Sequence, residues 1–106
     1  MKQITAPELH AHLQTAEPKP LLLDVREPRE FAFCHIEGSR HIPMNDVPAR
    51  LAELDPARKI IVICHHGMRS ASVANFLESR NYPNVINLAG GVDAWAALVD
   101  QNMPRY

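Results

Sequence analysis

The residues best equipped for chemistry are Cys64-His65-His66-Gly67-Met68-Arg69-Ser70, directly after the apolar run Lys59-Ile60-Ile61-Val62-Ile63. A β-branched run that ends in a cysteine, then a glycine-containing loop, then a helical pattern reads as strand, loop, helix. The thiol of Cys64 is therefore expected at the carboxyl end of a buried strand and the amino end of a helix. Open α/β sheets place their chemistry at that edge. A helix start offers unpaired N–H groups and the positive end of the macrodipole, so it favours an anion. A thiolate is such an anion. A free thiol has a pKa of about 8.5, and settings of this kind lower it to roughly 3.5–7.5. Gly67 lets the backbone turn tightly and approach a ligand closely. Successive N–H groups then converge into an anion nest, able to hold a thiolate, a persulfide or an oxyanion. Arg69 brings a fixed charge and a planar donor fork, either for an oxyanion or to brace the loop from outside. His65 and His66 add polarity, and Ser70 opens the helix.

Other residues invite a role and are read as structural. Asp24 and Arg26 close the apolar strand Leu21-Leu22-Leu23-Asp24-Val25, near the same sheet edge, and are expected to form a supporting ion pair or hydrogen-bond brace. His35 and His41 are expected to support the fold, and Trp95 to pack in the core. His10 and His12 are two apart on a helix and point in different directions. Cys34 reads as a small apolar filler. Six histidines and two cysteines raise the question of a metal, but the adjacent His65-His66 lacks the spacings of zinc sites, so no metal and no cofactor is expected.

The elements that must hold these residues follow from pattern and punctuation. Thr5-Ala6-Pro7-Glu8 reads as a capping box, opening a helix to about residue 16 with Leu9 and Leu13 on one face. Residues 17–20, Glu-Pro-Lys-Pro, break it. Leu21 to Val25 is a strand buried on both faces. Pro28 to Phe33 is a short helix, and His41-Ile42-Pro43 a brief strand. Asn45 or Asp46 caps a helix to about Leu54 with Val47, Leu51 and Leu54 on one face. Lys59 to Ile63 is a strand. Ser70 to Ser79 is helical with Val73, Phe76 and Leu77 inward. Val85 to Leu88 is a strand. After the Gly90-Gly91 turn, Val92 to about Val99 forms a last helix that buries Trp95 and Leu98. Strands alternating with helices predict a parallel sheet with helices on both faces. The nine prolines fall mostly between elements.

At 106 residues this is one small domain, 1–106, and its 46% hydrophobic content fits a packed core. With 11 basic and 12 acidic residues, a net charge of −1 and no basic stripe, there is no footprint for nucleic acid. No run reaches the ~20 apolar residues of a membrane span. The opening Met1-Lys2-Gln3-Ile4-Thr5 lacks the apolar core of a secretory signal, so cytoplasm is the expected location, with both cysteines as free thiols.

Four motifs, in order, resemble the rhodanese-like family. They are Leu23-Asp24-Val25-Arg26-Glu27-Pro28-Arg29-Glu30-Phe31, then His35-Ile36-Glu37-Gly38-Ser39-Arg40-His41-Ile42-Pro43, then Cys64 to Ser70 as the active-site loop, then Gly90-Gly91-Val92-Asp93-Ala94-Trp95. One departure is Cys34, where the family usually has glycine. The resemblance implies a three-layer αβα fold with a five-stranded parallel sheet. It also implies sulfurtransferase chemistry through a persulfide on Cys64. A donor such as thiosulfate would load the sulfur, and cyanide, a thiol or a protein acceptor would remove it. Four residues separate Cys64 from Arg69. Phosphatases related to this fold use five, so the spacing resembles the sulfur-handling branch rather than a phosphatase or arsenate reductase. The other function considered is a sulfur-relay or regulatory module with little turnover of its own.

Overall fold

A computed structural model describes residues 1–106. The elements run β1 (Lys2–Ile4), α1 (Ala6–Thr15), β2 (Leu21–Asp24), α2 (Pro28–Phe33), β3 (Arg40–His41), β4 (Ile60–Ile63), α3 (Met68–Ser79), β5 (Val85–Leu88) and α4 (Gly91–Leu98). Two 3₁₀ stretches, Met44–Asp46 and Pro48–Glu53, lie between β3 and β4. The sheet is five-stranded and wholly parallel, in the order β1-β5-β4-β2-β3.

β4 is central because its sequence suits no other place. Ile60, Ile61, Val62 and Ile63 are all fully buried, and only a strand covered on both faces can hide four consecutive aliphatic residues. Each contributes roughly 1.5–3 kcal/mol on full burial. Alternation sends side chains to two cores. Ile60, Val62 and Cys64 join Leu23, Val25 and Val85 beneath Val73, Ala74 and Leu77 of α3. Ile61 and Ile63 join Leu22 and Leu88 beneath Ala6 and Leu9 of α1 and Val92 and Trp95 of α4. The layers are helix, sheet, helix. No helix is long and apolar enough to cross a membrane.

β2 leads outward to β3, whereas β4 leads the other way to β5. The direction of winding therefore reverses between β2 and β4. That reversal opens a crevice outside the carboxyl ends of those two strands. Asp24 pairs with Ile63 in register, so Arg26 and Cys64 both emerge at that crevice.

The structure corrects several expectations. The helix expected from Asn45 or Asp46 to Leu54 is two 3₁₀ stretches with non-helical Arg50 inside the second. Pro48 has no N–H to give an α-helical bond, and the chain closes i to i−3 bonds instead, from Arg50 to Val47 and Leu54 to Leu51. Val47 and Leu54 are buried nonetheless. Leu98 is 63% exposed rather than buried. At ~100° per residue it points about 120° away from Val92, off the face that Val92, Trp95 and Ala96 present inward. Phe76 is half-buried rather than fully inward. The brief strand is Arg40–His41 and stops before Pro43. β1, a three-residue strand without an apolar run, carries no signal of its own in the pattern, and it is held by pairing with β5.

Candidate functional site

Cys64 follows β4 and is 1% exposed, its sulfur turned toward the loop that leads into α3. The Gly67 N–H donates to Cys64 Sγ at 3.0 Å. Ser70 Oγ lies 3.3 Å from the same sulfur. The first α-helical bond of α3 is Ala71 N–H to the Gly67 carbonyl, 3.3 Å. The N–H groups of Met68, Arg69 and Ser70 therefore have no partner within the helix. Gly67 stands at φ +103°, where an L-residue is strained, and a Cβ there would lie 3.2 Å from the Gly90 nitrogen. The loop needs glycine for its turn and for its close approach to the strand beyond.

The polarity of the loop is set by α4. Val92 N–H donates to the Cys64 carbonyl at 2.9 Å, and Asp93 N–H to the His65 carbonyl at 3.1 Å. In a trans peptide the N–H points opposite to the C=O. Drawing these two carbonyls toward α4 thus turns the His65 and His66 N–H groups away from it. Gly91 makes this possible, since a Cβ there would be driven into the Cys64 and His65 carbonyl oxygens. The Gly90-Gly91 pair is thus a packing requirement of the cysteine loop.

Asn87 joins the candidate site from a strand position that the sequence motifs do not single out. It sits on β5, 2% exposed. Its Nδ2 donates to the Gly67 carbonyl at 3.1 Å, and its Oδ1 accepts from the Ser70 hydroxyl. The amide ties the loop and the first turn of α3 to the sheet. A polar residue inside Val85-Ile86-Asn87-Leu88 was the available signal.

Arg69 braces the loop from outside. Its guanidinium forks onto Glu30 of α2, Nη1 to Oε1 at 2.7 Å and Nη2 to Oε2 at 2.9 Å. Arg69 holds the Glu30 carboxyl well below the usual carboxylate range, and Glu30 in turn raises the Arg69 pKa. Tyr106 completes the brace. Its hydroxyl donates to Glu30 Oε2 at 2.7 Å and accepts from Arg26 Nη1 at 2.8 Å. Burial, ahead of these bonds, pushes the Tyr106 pKa up to about 12. No spacing in the sequence linked Glu30 or Tyr106 to the loop.

Asp24 and Arg26 form a fully buried ion pair, Nη2 to Oδ2 at 2.7 Å, and Nη2 also donates to the Cys34 carbonyl at 2.6 Å. Burial would lower the Arg26 pKa, but the bonds to Asp24 and Tyr106 raise it above its ordinary value. Cys34 is a buried free thiol with Sγ 4.0 Å from Arg26 Nη1. His35 and His41 stack on Phe31, at 4.0 and 4.6 Å between ring centroids. His41 Nε2 meets the Arg26 carbonyl at 2.7 Å.

The structure brings His65 and His66 to the rim of the cradle, stacked at 3.9 Å, with the Tyr106 ring stacked on His65 at 3.8 Å. Burial, then the nearby His66, lowers the His65 pKa. The Met68 side chain, 82% exposed at the start of α3, points to solvent. A cleft of about 350 Å³ lined by Arg29, Glu30, Phe33 and Tyr106 flanks the brace.

Comparison with known proteins identifies the family. Residues 5–98 match the rhodanese-like domain family. The chain is 34% identical to the thiosulfate sulfurtransferase GlpE of Pseudomonas aeruginosa, over 91% of this chain and 86% of that protein. It is 33% identical to the chloroplastic rhodanese-like/PpiC domain-containing protein 12 of Arabidopsis thaliana, covering all of this chain but only 38% of that longer protein. Among solved structures, the rhodanese-like domain protein from Staphylococcus aureus superposes with a TM-score of 0.86 at 31% identity, over 100% of this chain and 99% of that one. These relatives support a role in sulfur transfer at the level of the family. The β4–α3 cysteine cradle, the five-stranded parallel sheet and the matched span lead to one conclusion: this chain belongs to the rhodanese-like domain family.

Proposed function

We propose that this protein is a sulfurtransferase that carries a sulfane sulfur on Cys64. The observation that carries the reading is the Gly67 N–H aimed at Cys64 Sγ at 3.0 Å, at the start of a helix whose first N–H groups have no helical partner. Backbone donors fixed in place stabilise negative charge on sulfur without reorganising as it develops.

The Cys64 thiolate attacks the outer sulfur of a donor such as thiosulfate. A new S–S bond forms, the donor's S–S bond breaks, and sulfite leaves with the electron pair. Cys64 now bears a persulfide whose terminal sulfur is anionic. The N–H groups of the loop and of the first turn of α3 hold it. A thiophilic acceptor (cyanide, a low-molecular-weight thiolate or a protein thiolate) then attacks the outer sulfur and releases the Cys64 thiolate. This is covalent catalysis by double displacement, with ping-pong kinetics. Arg69 acts here as a brace, since Glu30 occupies both arms of its guanidinium. Both cysteines are free, which suits a reducing compartment such as the cytoplasm.

The test is intact-mass analysis after incubation with thiosulfate, followed by cyanide. We expect a gain of one sulfur atom on Cys64 that cyanide removes, with thiocyanate formed over many turnovers. Loading without turnover would favour a sulfur-relay module. Failure of Cys64 to load with any sulfane donor would exclude the persulfide mechanism.

A further inference from the structure

We propose that His65, His66 and Asp93 form a binding site for a divalent transition-metal ion such as zinc or cobalt at the rim of the cysteine loop, and that Arg105 holds the metal-free state of that site. The fold assembles this trio; sequence spacing does not. His65 and His66 are adjacent on the loop, and Asp93 arrives from the first turn of α4. One ligand atom from each lies within 4.8 Å of the others, with His66 Nε2 3.7 Å from Asp93 Oδ2. Two imidazoles and a carboxylate are a donor set that suits zinc, cobalt, nickel or copper rather than calcium or magnesium. Three protein ligands also leave positions for water.

Two further observations bear on the same place. His65 Nε2 is buried and has no hydrogen-bond partner, the kind of unmet polar atom that folded proteins seldom keep. Asp93 is already engaged by a cation, because the Arg105 guanidinium forks onto it at 3.1 and 3.2 Å. The carboxylate thus attracts positive charge in the metal-free protein, and a dication would take the place of a guanidinium. The adjustment required is small. Ligand atoms around one ion lie within roughly 4.2 Å of one another, twice the Zn–N distance. The mobile partner is His66, 61% exposed and free to turn off its stack with His65. Asp93 itself is anchored, since its own N–H is bonded to the His65 carbonyl at 3.1 Å. The backbone that orients the cysteine loop also fixes the distance between the ligands.

The exchange with Arg105 separates this site from adventitious surface binding. The protein carrying Cys64→Ser, in which the neighbouring sulfur cannot serve as a ligand, is titrated with cobalt(II) alone and followed by its visible absorption, then by competition with zinc(II). We expect one ion per chain. His66→Ala and Asp93→Asn, both at partly exposed side chains, should each weaken binding at least tenfold while leaving the circular dichroism spectrum unchanged. Arg105→Ala should tighten it several-fold. Binding of more than one ion with no preferred site, or an affinity untouched by His66→Ala or Asp93→Asn, overturns the assignment. An affinity that Arg105→Ala leaves the same or weakens overturns it as well. These readings use no sulfur-transfer assay, so they stand apart from the proposed activity.

Discussion

Cys64 and Asn87 divide the work at the scale of single residues. In the proposed reaction Cys64 supplies the nucleophile, and Asn87 ties down the loop around its sulfur. Cys64→Ser is nearly isosteric, so the fold should persist while sulfur loading and turnover fall to background, read by intact mass and thiocyanate formation. Cys34→Ser should keep most activity, because Cys34 packs beside Arg26 and touches no loop atom in the hydrogen-bond network. Asn87→Ala removes one hydrogen bond from the Gly67 carbonyl and one from the Ser70 hydroxyl, leaving them Ala71 N–H and Cys64 Sγ. A typical hydrogen bond contributes about 0.5–1.5 kcal/mol net. We expect a loss of that order in chemical denaturation, together with slower sulfur loading. A folded Asn87→Ala protein with native stability and native loading would show that the amide does not hold the loop.

At the scale of elements, the cysteine loop is a joint between β4, α3 and α4 rather than a property of its own seven residues. Gly91→Ala tests the joint from its far side. The added methyl group meets the Cys64 and His65 carbonyls, so the loop must shift. The N–H groups that face the sulfur must shift with it. We expect a large fall in turnover, with Cys64 still present and its thiol titratable by a denaturing assay. Loop length is the second test. Inserting one residue between Met68 and Arg69 moves donors that must lie about 2.7–3.1 Å from developing charge. It should weaken sulfur transfer even where the Arg69–Glu30 pair reforms. Native turnover in a folded insertion variant would show that loop size does not select the chemistry. The wild type, with four residues between cysteine and arginine, should hydrolyse no phosphate ester at a significant rate.

The whole molecule is organised around the crevice where the sheet reverses its winding. Asp24 and Arg26 sit under it as a fully buried pair, and hydrogen bonds through Tyr106 and Glu30 connect that pair to Arg69. Asp24→Asn leaves a buried guanidinium without its counter-ion. Breaking such a pair costs about 3–5 kcal/mol, so a marked drop in melting temperature is expected. Glu30 makes stability depend on pH at the acid end. Its pKa is depressed in the fold, chiefly by Arg69, whereas the unfolded value is about 4.3. The unfolded chain therefore takes up a proton first as the pH falls. The contribution of Glu30 is complete above the unfolded value and is lost as pH drops toward the folded one. Glu30→Gln should flatten the stability profile below about pH 5, measured by denaturant titration at a series of pH values. An unchanged acid slope would show that the Arg69–Glu30 pair is not coupled to folding.

The amino-acid sequence by itself determined the elements whose signals are local. Four consecutive aliphatic residues made β4 central, Thr5 and Glu8 closed the capping box of α1, and a cysteine at a strand end with Gly67 behind it marked the candidate loop. These depend on neighbours within a few positions, where periodicity and capping chemistry operate. Prolines spoke only partly: Pro28 opened α2 as expected, while Pro48 turned a helical pattern into 3₁₀ geometry. Tertiary structure decided what depends on distant segments. β1 is a strand because β5 offers it an edge, and Leu98 is exposed because its place on α4 misses the sheet. Glu30, Asn87, Gly91 and Tyr106 reach the cysteine loop from four different segments of the chain. Only packing sets those distances, because the loop's carbonyls, its arginine and its buried hydroxyl each needed a partner that no neighbour in sequence could supply.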